Sequence, residues 1–120
     1  MPRDARAYLT DILESCDAIA VALNGVDLET YKASRLVRSS VEREFIIIGE
    51  AVSALSRLTP DAFESITHAR RIVDFRNQLT HEYPNVNDAL VWGIADREAL
   101  VLRRECAALI DGLGGGGASL

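Results

Sequence analysis

The stretch FIIIGEAVSAL, from Phe45 to Leu55, limits the fold more than any other part of the chain. It lies in a helical pattern that runs from Ala33 to Leu58. The first half of that pattern is amphipathic. Leu36, Val37, Val41 and Phe45 fall on one face, and Arg35, Arg38, Glu42 and Arg43 can face water. The second half is apolar almost all round, and a helix apolar on every face is buried on every face. That calls for a bundle, and in a small bundle it points to a second copy as part of the cover. Gly49, inside this run, costs a helix about 1 kcal/mol against alanine. The cost makes sense where another backbone passes close by. Glu50, set among apolar residues, calls for a partner.

The remaining segments read as helices joined by short turns. From Arg3 to Leu23 the stripe is Tyr8, Ile12, Ile19 and Leu23, with Leu9, Cys16 and Ala20 beside it. Asn24-Gly25 ends that helix, because both residues tolerate left-handed backbone angles. Asp27 is placed to cap a short turn through Tyr31. Thr59-Pro60-Asp61 breaks the long helix, and a short turn follows through Ile66. Thr67 is placed to cap a third helix from His68 to Thr80 or Glu82, with Ile72, Phe75 and Leu79 as its stripe. Pro84 stops it, and Asn87 caps a fourth helix from Asp88 to Leu113. Leu90, Ile94, Val101 and Ala108 form the stripe of that last helix, with Trp92 alongside. The expected fold is all-α, an antiparallel bundle of four main helices plus short connecting helices over residues 1–113. Residues 114–120 read as a flexible Gly-rich tail.

Composition narrows the function. A chain of 120 residues suits one domain with one core. Its net charge of −5 does not attract nucleic acid as a whole, so any such contact must come from a local basic cluster. Every basic residue except Lys32 is an arginine. That bias can reflect genome composition, and arginine also grips phosphate through two parallel hydrogen bonds. Cys16 and Cys106 are far apart, with no CxxC, and read as small apolar residues in a reducing setting. With no secretory pattern at its start and no apolar run of about 18 residues, the chain is expected in the cytoplasm. His68 and His81 have no metal-ligand spacing, and neither metal nor cofactor is expected.

One segment stands apart: RNQLTHEYPNVND, from Arg76 to Asp88. On a helix, Asn77 and His81 share a face, and Arg76 and Tyr83 share another. Arg76 and His81 sit about 140° apart round the axis, so they do not stack on one regular helix. Two readings stay open on the residues alone. The segment can be a helix end, with cationic side chains meeting the negative end of the dipole before Pro84. It can also be a reaction site, if the helix unwinds near Pro84 or a second copy completes it. Arg70 and Arg71 either extend a basic strip with Arg76 or form a solvated face.

The order Arg76, four residues, His81, one residue, Tyr83 resembles the Arg-x4-His-x-Tyr motif of HepT-type toxins, small helical RNases of the HEPN superfamily. Asn77 matches the polar residue that commonly follows the arginine. VEREFIIIGEAVSAL (Val41 to Leu55) resembles the family's long second helix with its Ile-Gly-Glu-Ala signature, and YPNVNDALVW (Tyr83 to Trp92) its turn into the last helix. The likeness extends over nearly all of the chain to Leu113. It implies a homodimer whose two Arg/His motifs meet in a cleft, and metal-independent cleavage of RNA. It also implies a partner, a minimal nucleotidyltransferase antitoxin that neutralises the toxin by attaching AMP to the motif tyrosine, here Tyr83.

The residue types suit that chemistry. RNA brings its own nucleophile, the ribose 2′-OH. In a symmetric dimer one His81 can take its proton while the other protonates the leaving 5′-oxygen. Arg76 can hold the phosphate and stabilise the transition state. Asn77 can hydrogen-bond His81 or the phosphate. Glu50 either pairs with a motif arginine or only satisfies a buried interface. Two other classes stand beside this one: a non-catalytic helical module that presents a substrate or nucleotide to a partner nucleotidyltransferase, and an assembly subunit whose FIIIGEAV face only dimerises.

Overall fold

The computed structural model describes residues 3–81 and 85–118, except the side chains of 114–118. Among these residues six helices follow in order: α1 (Ala5–Leu23), α2 (Leu28–Ala33), α3 (Arg35–Leu58), α4 (Pro60–Ser65), α5 (Ala69–His81) and α6 (Asp88–Ala118). The four long helices form the expected all-α bundle, with α2 and α4 as short connectors.

Local chemistry explains most of the boundaries. The Asp4 carboxylate accepts from the Ala7 amide at 2.9 Å, and Asp27 accepts from that of Thr30 at 2.8 Å. The second bond holds the Asp27 carboxyl below its ordinary pKa. Gly25 takes the left-handed turn after α1, with φ +73°. The expected start of the long helix at Ala33 is corrected, because Ala33 closes α2. Ser34 separates the two helices and its hydroxyl accepts from the Val37 amide at 3.2 Å. Thr67 does not cap α5. Its amide and hydroxyl both donate to Glu105 of α6, and His68 follows at a left-handed φ of 58°. The Asn87 side chain accepts from the Leu90 amide at 3.1 Å, as a cap of α6 should. The helix itself continues to Ala118, past Leu113. Glycine weakens a helix but does not block its hydrogen bonds, as proline does.

In the bundle, α1 packs against α3 and α6, and α3 also packs against α5. Leu9, Ile12, Cys16 and Ile19 of α1 meet Val41, Ile48, Val52 and Leu55 of α3, and all are buried. Burying each such leucine or isoleucine contributes about 1.5–3 kcal/mol. Burial pushes the Cys16 and Cys106 thiols up to about 12, so both behave as apolar core atoms. Phe45 and Phe75 join α3 to α5 edge to face, with ring centroids 5.3 Å apart. Trp92 donates to the Val26 carbonyl at 3.1 Å and ties α6 to the loop after α1.

Two sequence expectations about faces fail. On α3, Leu36 is 82 % exposed. Ile46 and Ile47 are half-buried and Glu50 is exposed within one chain, on the run where a second copy was expected to form part of the cover. On α6 the core side is Val91, Ala95, Ala99, Leu102 and Cys106. The expected stripe is one residue out of phase: Leu90 is 51 % and Val101 42 % exposed. Ala108 is exposed and Ile94 only half-buried. Both faces of α6 are apolar, and α1 covers only one of them.

Candidate active site

The Arg-x4-His segment occupies the second half of α5. That helix is held to α3 through Ile72, Phe75 and buried Leu79. It is helical from Ala69 to His81 without a break. Arg76 and His81 therefore keep their separation of about 140° round the axis. The helix does not unwind before His81, and the expected unwinding near Pro84 falls outside the described residues.

Arg76 is half-buried where α5 crosses α3. A Cβ built on Gly49 would lie 2.2 Å from the Arg76 Cβ and 2.6 Å from its Cγ. The arginine stem thus rests on the bare backbone of α3, which gives Gly49 the close approach its position implied. The Arg76 Nε is buried and has no hydrogen-bond partner among the described residues. Leaving such a donor unpaired costs about 1–3 kcal/mol, more when it carries charge. The Thr80 hydroxyl donates to the Arg76 carbonyl at 2.9 Å and stiffens the same turn.

Asn77 and His81 are exposed on α5. Among the described residues no side-chain hydrogen bond joins Arg76, Asn77 and His81, and Glu50 forms no ion pair. A single copy therefore presents the motif without assembling it. Tyr83 and Pro84 lie outside the described residues.

A second feature adjoins the motif. α5 and α6 barely touch, and a groove of about 800 Å³ opens between them with α3 as its floor. Phe45, Ile72, Phe75, Leu90, Ile94 and Val101 make it mostly apolar, and Arg71, Arg97 and Glu98 stand on it as charges. The apolar side of α6 that the core leaves open is one of its walls. Sequence reasoning missed the groove because it assigned those α6 residues to the core. Among the described residues no cluster of histidine, cysteine, aspartate and glutamate is arranged to hold a metal ion.

Comparison with known proteins adds to this geometry. The sequence pattern of the family described as "Ribonuclease HepT-like" matches residues 12–109, a span that includes α3, α5 and the first two-thirds of α6. The chain belongs to the HepT-like family. This HepT-like chain is 28 % identical over 103 residues to "Putative RNase MJ1380" of Methanocaldococcus jannaschii, covering 86 % of this chain and 94 % of the relative. It is 26 % identical over 105 residues to "Putative RNase TTE0752" of Caldanaerobacter subterraneus subsp. tengcongensis, covering 88 % and 93 %. No solved structure matches it. No helix of the described residues is long and apolar enough to cross a membrane.

Proposed function

We propose that this HepT-like protein is a metal-independent endoribonuclease that acts as a homodimer, the cytoplasmic toxin of a type II toxin–antitoxin pair. The observation that carries this reading is on α5. One unbroken helix bears an arginine anchored against α3 with an unpartnered Nε, and five residues on an exposed histidine on a different face. Such a pair acts together only when a second copy brings its own α5 alongside. The groove supports that arrangement, because α5 forms one wall of it and an apolar side of α6 the other. Its rim carries both signs of charge, Arg71 and Arg97 with Glu98, as a self-complementary two-fold contact needs.

In the shared cleft, His81 of one copy takes the proton of the ribose 2′-OH. The 2′-oxygen attacks phosphorus, and the bond to the 5′-oxygen breaks as the other His81 protonates it. The products are a 2′,3′-cyclic phosphate and a free 5′-OH. The Arg76 guanidinium holds the charge that builds on the phosphoryl oxygens. Asn77, on the His81 face, orients the imidazole or the phosphate, and Glu50 on the neighbouring turn of α3 pairs with an arginine of the second copy.

The test is RNA incubated with purified protein in EDTA. Fragments ending in cyclic phosphate are expected; RNA left intact overturns the activity. The regulatory half of the proposal is a nucleotidyltransferase antitoxin that attaches AMP to Tyr83. Coexpressed with its neighbouring nucleotidyltransferase, the wild type should gain the mass of AMP and Tyr83→Phe should not. A Tyr83→Phe protein that gains the same mass excludes this tyrosine. The net charge of −5 favours a second reading, a non-catalytic module that presents a nucleotide or substrate to that partner. That reading predicts binding of the partner with no cleavage of RNA in the same assay.

A further inference from the structure

We infer that Gly49 is the positioning residue for Arg76: the missing side chain at this one point of α3 fixes where α5 lies and how the arginine is aimed. The inference rests on the catalytic reading of Arg76 above.

The contact is specific. The Gly49 Cβ position would meet the Arg76 Cβ at 2.2 Å and Cγ at 2.6 Å, and the Ile72 carbonyl at 3.5 Å. Carbon atoms rest about 3.5–4.0 Å apart. The two near atoms are the root of the arginine side chain, so rotating a flexible tip does not relieve the overlap. Any side chain at position 49 must push α5 away from α3 by roughly 1 Å or more to restore that spacing.

The arrangement restricts Arg76 in two ways. Its Cβ and Cγ lie against backbone, and its Nε is buried without a partner among the described residues. The rotamers that leave this surface are the ones an arginine in water samples freely. Holding the stem here spends conformational freedom before substrate arrives, which is what a group that stabilises a transition state requires. A buried structural arginine would instead have its Nε–H satisfied by the protein. Gly49 thus explains both the close crossing and the orphan donor. It also explains a glycine in the middle of a 24-residue helix, where alanine would favour the helix itself.

A shift of about 1 Å in a positioned group costs roughly 100-fold in rate. Gly49→Ala is therefore expected to lower kcat for RNA cleavage about 100-fold and to leave KM nearly unchanged. Ile19→Val, in the α1 core away from the crossing, supplies a control for lost stability. It should lower Tm and keep kcat. A Gly49→Ala protein with wild-type kcat overturns the inference, as does an equal loss of kcat in the Ile19→Val control.

A stability cycle tests the contact without reference to activity. With Arg76 present, Gly49→Ala should lower Tm or prevent folding. In an Arg76→Gly background the new methyl meets no Cβ, and the same change should leave Tm equal or higher. The same fall in both backgrounds overturns the contact. If Arg76→Ala cleaves RNA at the wild-type rate, the catalytic reading fails and the positioning role fails with it. The Tm cycle then shows whether the fault lies in the chemistry or in the contact.

Discussion

Purified His81→Ala protein is expected to lose RNA cleavage by at least roughly 10²–10⁴-fold, the range for removing a general acid or base. In the proposed dimer the upper end applies, because one substitution removes both proton-transfer groups from the shared cleft. His81 is exposed at the end of α5 and supports no core contact, so the fold should be indifferent to the change. A charged histidine in the last turn of a helix contributes about 0.3–1 kcal/mol through the helix dipole, which bounds the loss of stability. The pH–rate profile separates catalysis from binding. With one histidine as base and the other as acid, wild type gives a bell. Any residual activity of His81→Ala should lack both limbs. His81→Gln keeps a polar side chain but cannot exchange a proton near neutral pH, and it should be as inert as the alanine variant. Cleavage by His81→Ala within tenfold of wild type would remove this residue from the mechanism.

Arg76→Ala should reduce kcat by roughly 10²–10³-fold, the scale on which a single donor to a developing oxyanion acts. Its effect on stability should be small, because two contributions oppose each other. The arginine stem packs on Gly49, and truncation keeps the Cβ contact but loses that of Cγ and the rest of the stem. Truncation also removes a buried N–H that has no partner, worth about 1–3 kcal/mol in the other direction. A Tm within a few degrees of wild type together with a large loss of kcat is the expected pattern. Arg76→Lys should not restore the rate, since an ammonium lacks the planar fork that spans two phosphoryl oxygens. Full activity in the lysine variant would mean that the site needs only a positive charge.

The sequence carried the helices well. Period-3.6 stripes placed α1, α3 and α5 near their true positions, and Asp27 and Asn87 proved to be caps. The failures occur where a residue's role depends on which neighbour covers it. Leu90, Ile94 and Val101 of α6 are as apolar as Val91 and Leu102, so hydrophobicity alone could not say which set faces α1. Leu36, expected on the inward face of α3, is exposed for the same reason. Thr67 looked like a cap because the residue type suits one, whereas its hydroxyl reaches Glu105, far along the chain on α6. Gly49 was legible as a close approach. That the approaching group is Arg76 was not legible, because it depends on how α3 and α5 cross. The Arg76–His81 angle was legible from helix geometry, and α5 keeps it by staying regular to His81.

The most direct measurement is therefore made on a mixed dimer, with one wild-type chain and one His81→Ala chain, isolated through two different tags. If each copy contributes one histidine to a single reaction, the mixed dimer should be nearly as inactive as the His81→Ala homodimer. If each copy carried a complete and independent site, it would retain about half of the wild-type rate. Near-zero cleavage is the result predicted by a cleft completed across the two-fold axis. Half-activity, or a protein that remains monomeric while it cleaves RNA, would contradict it.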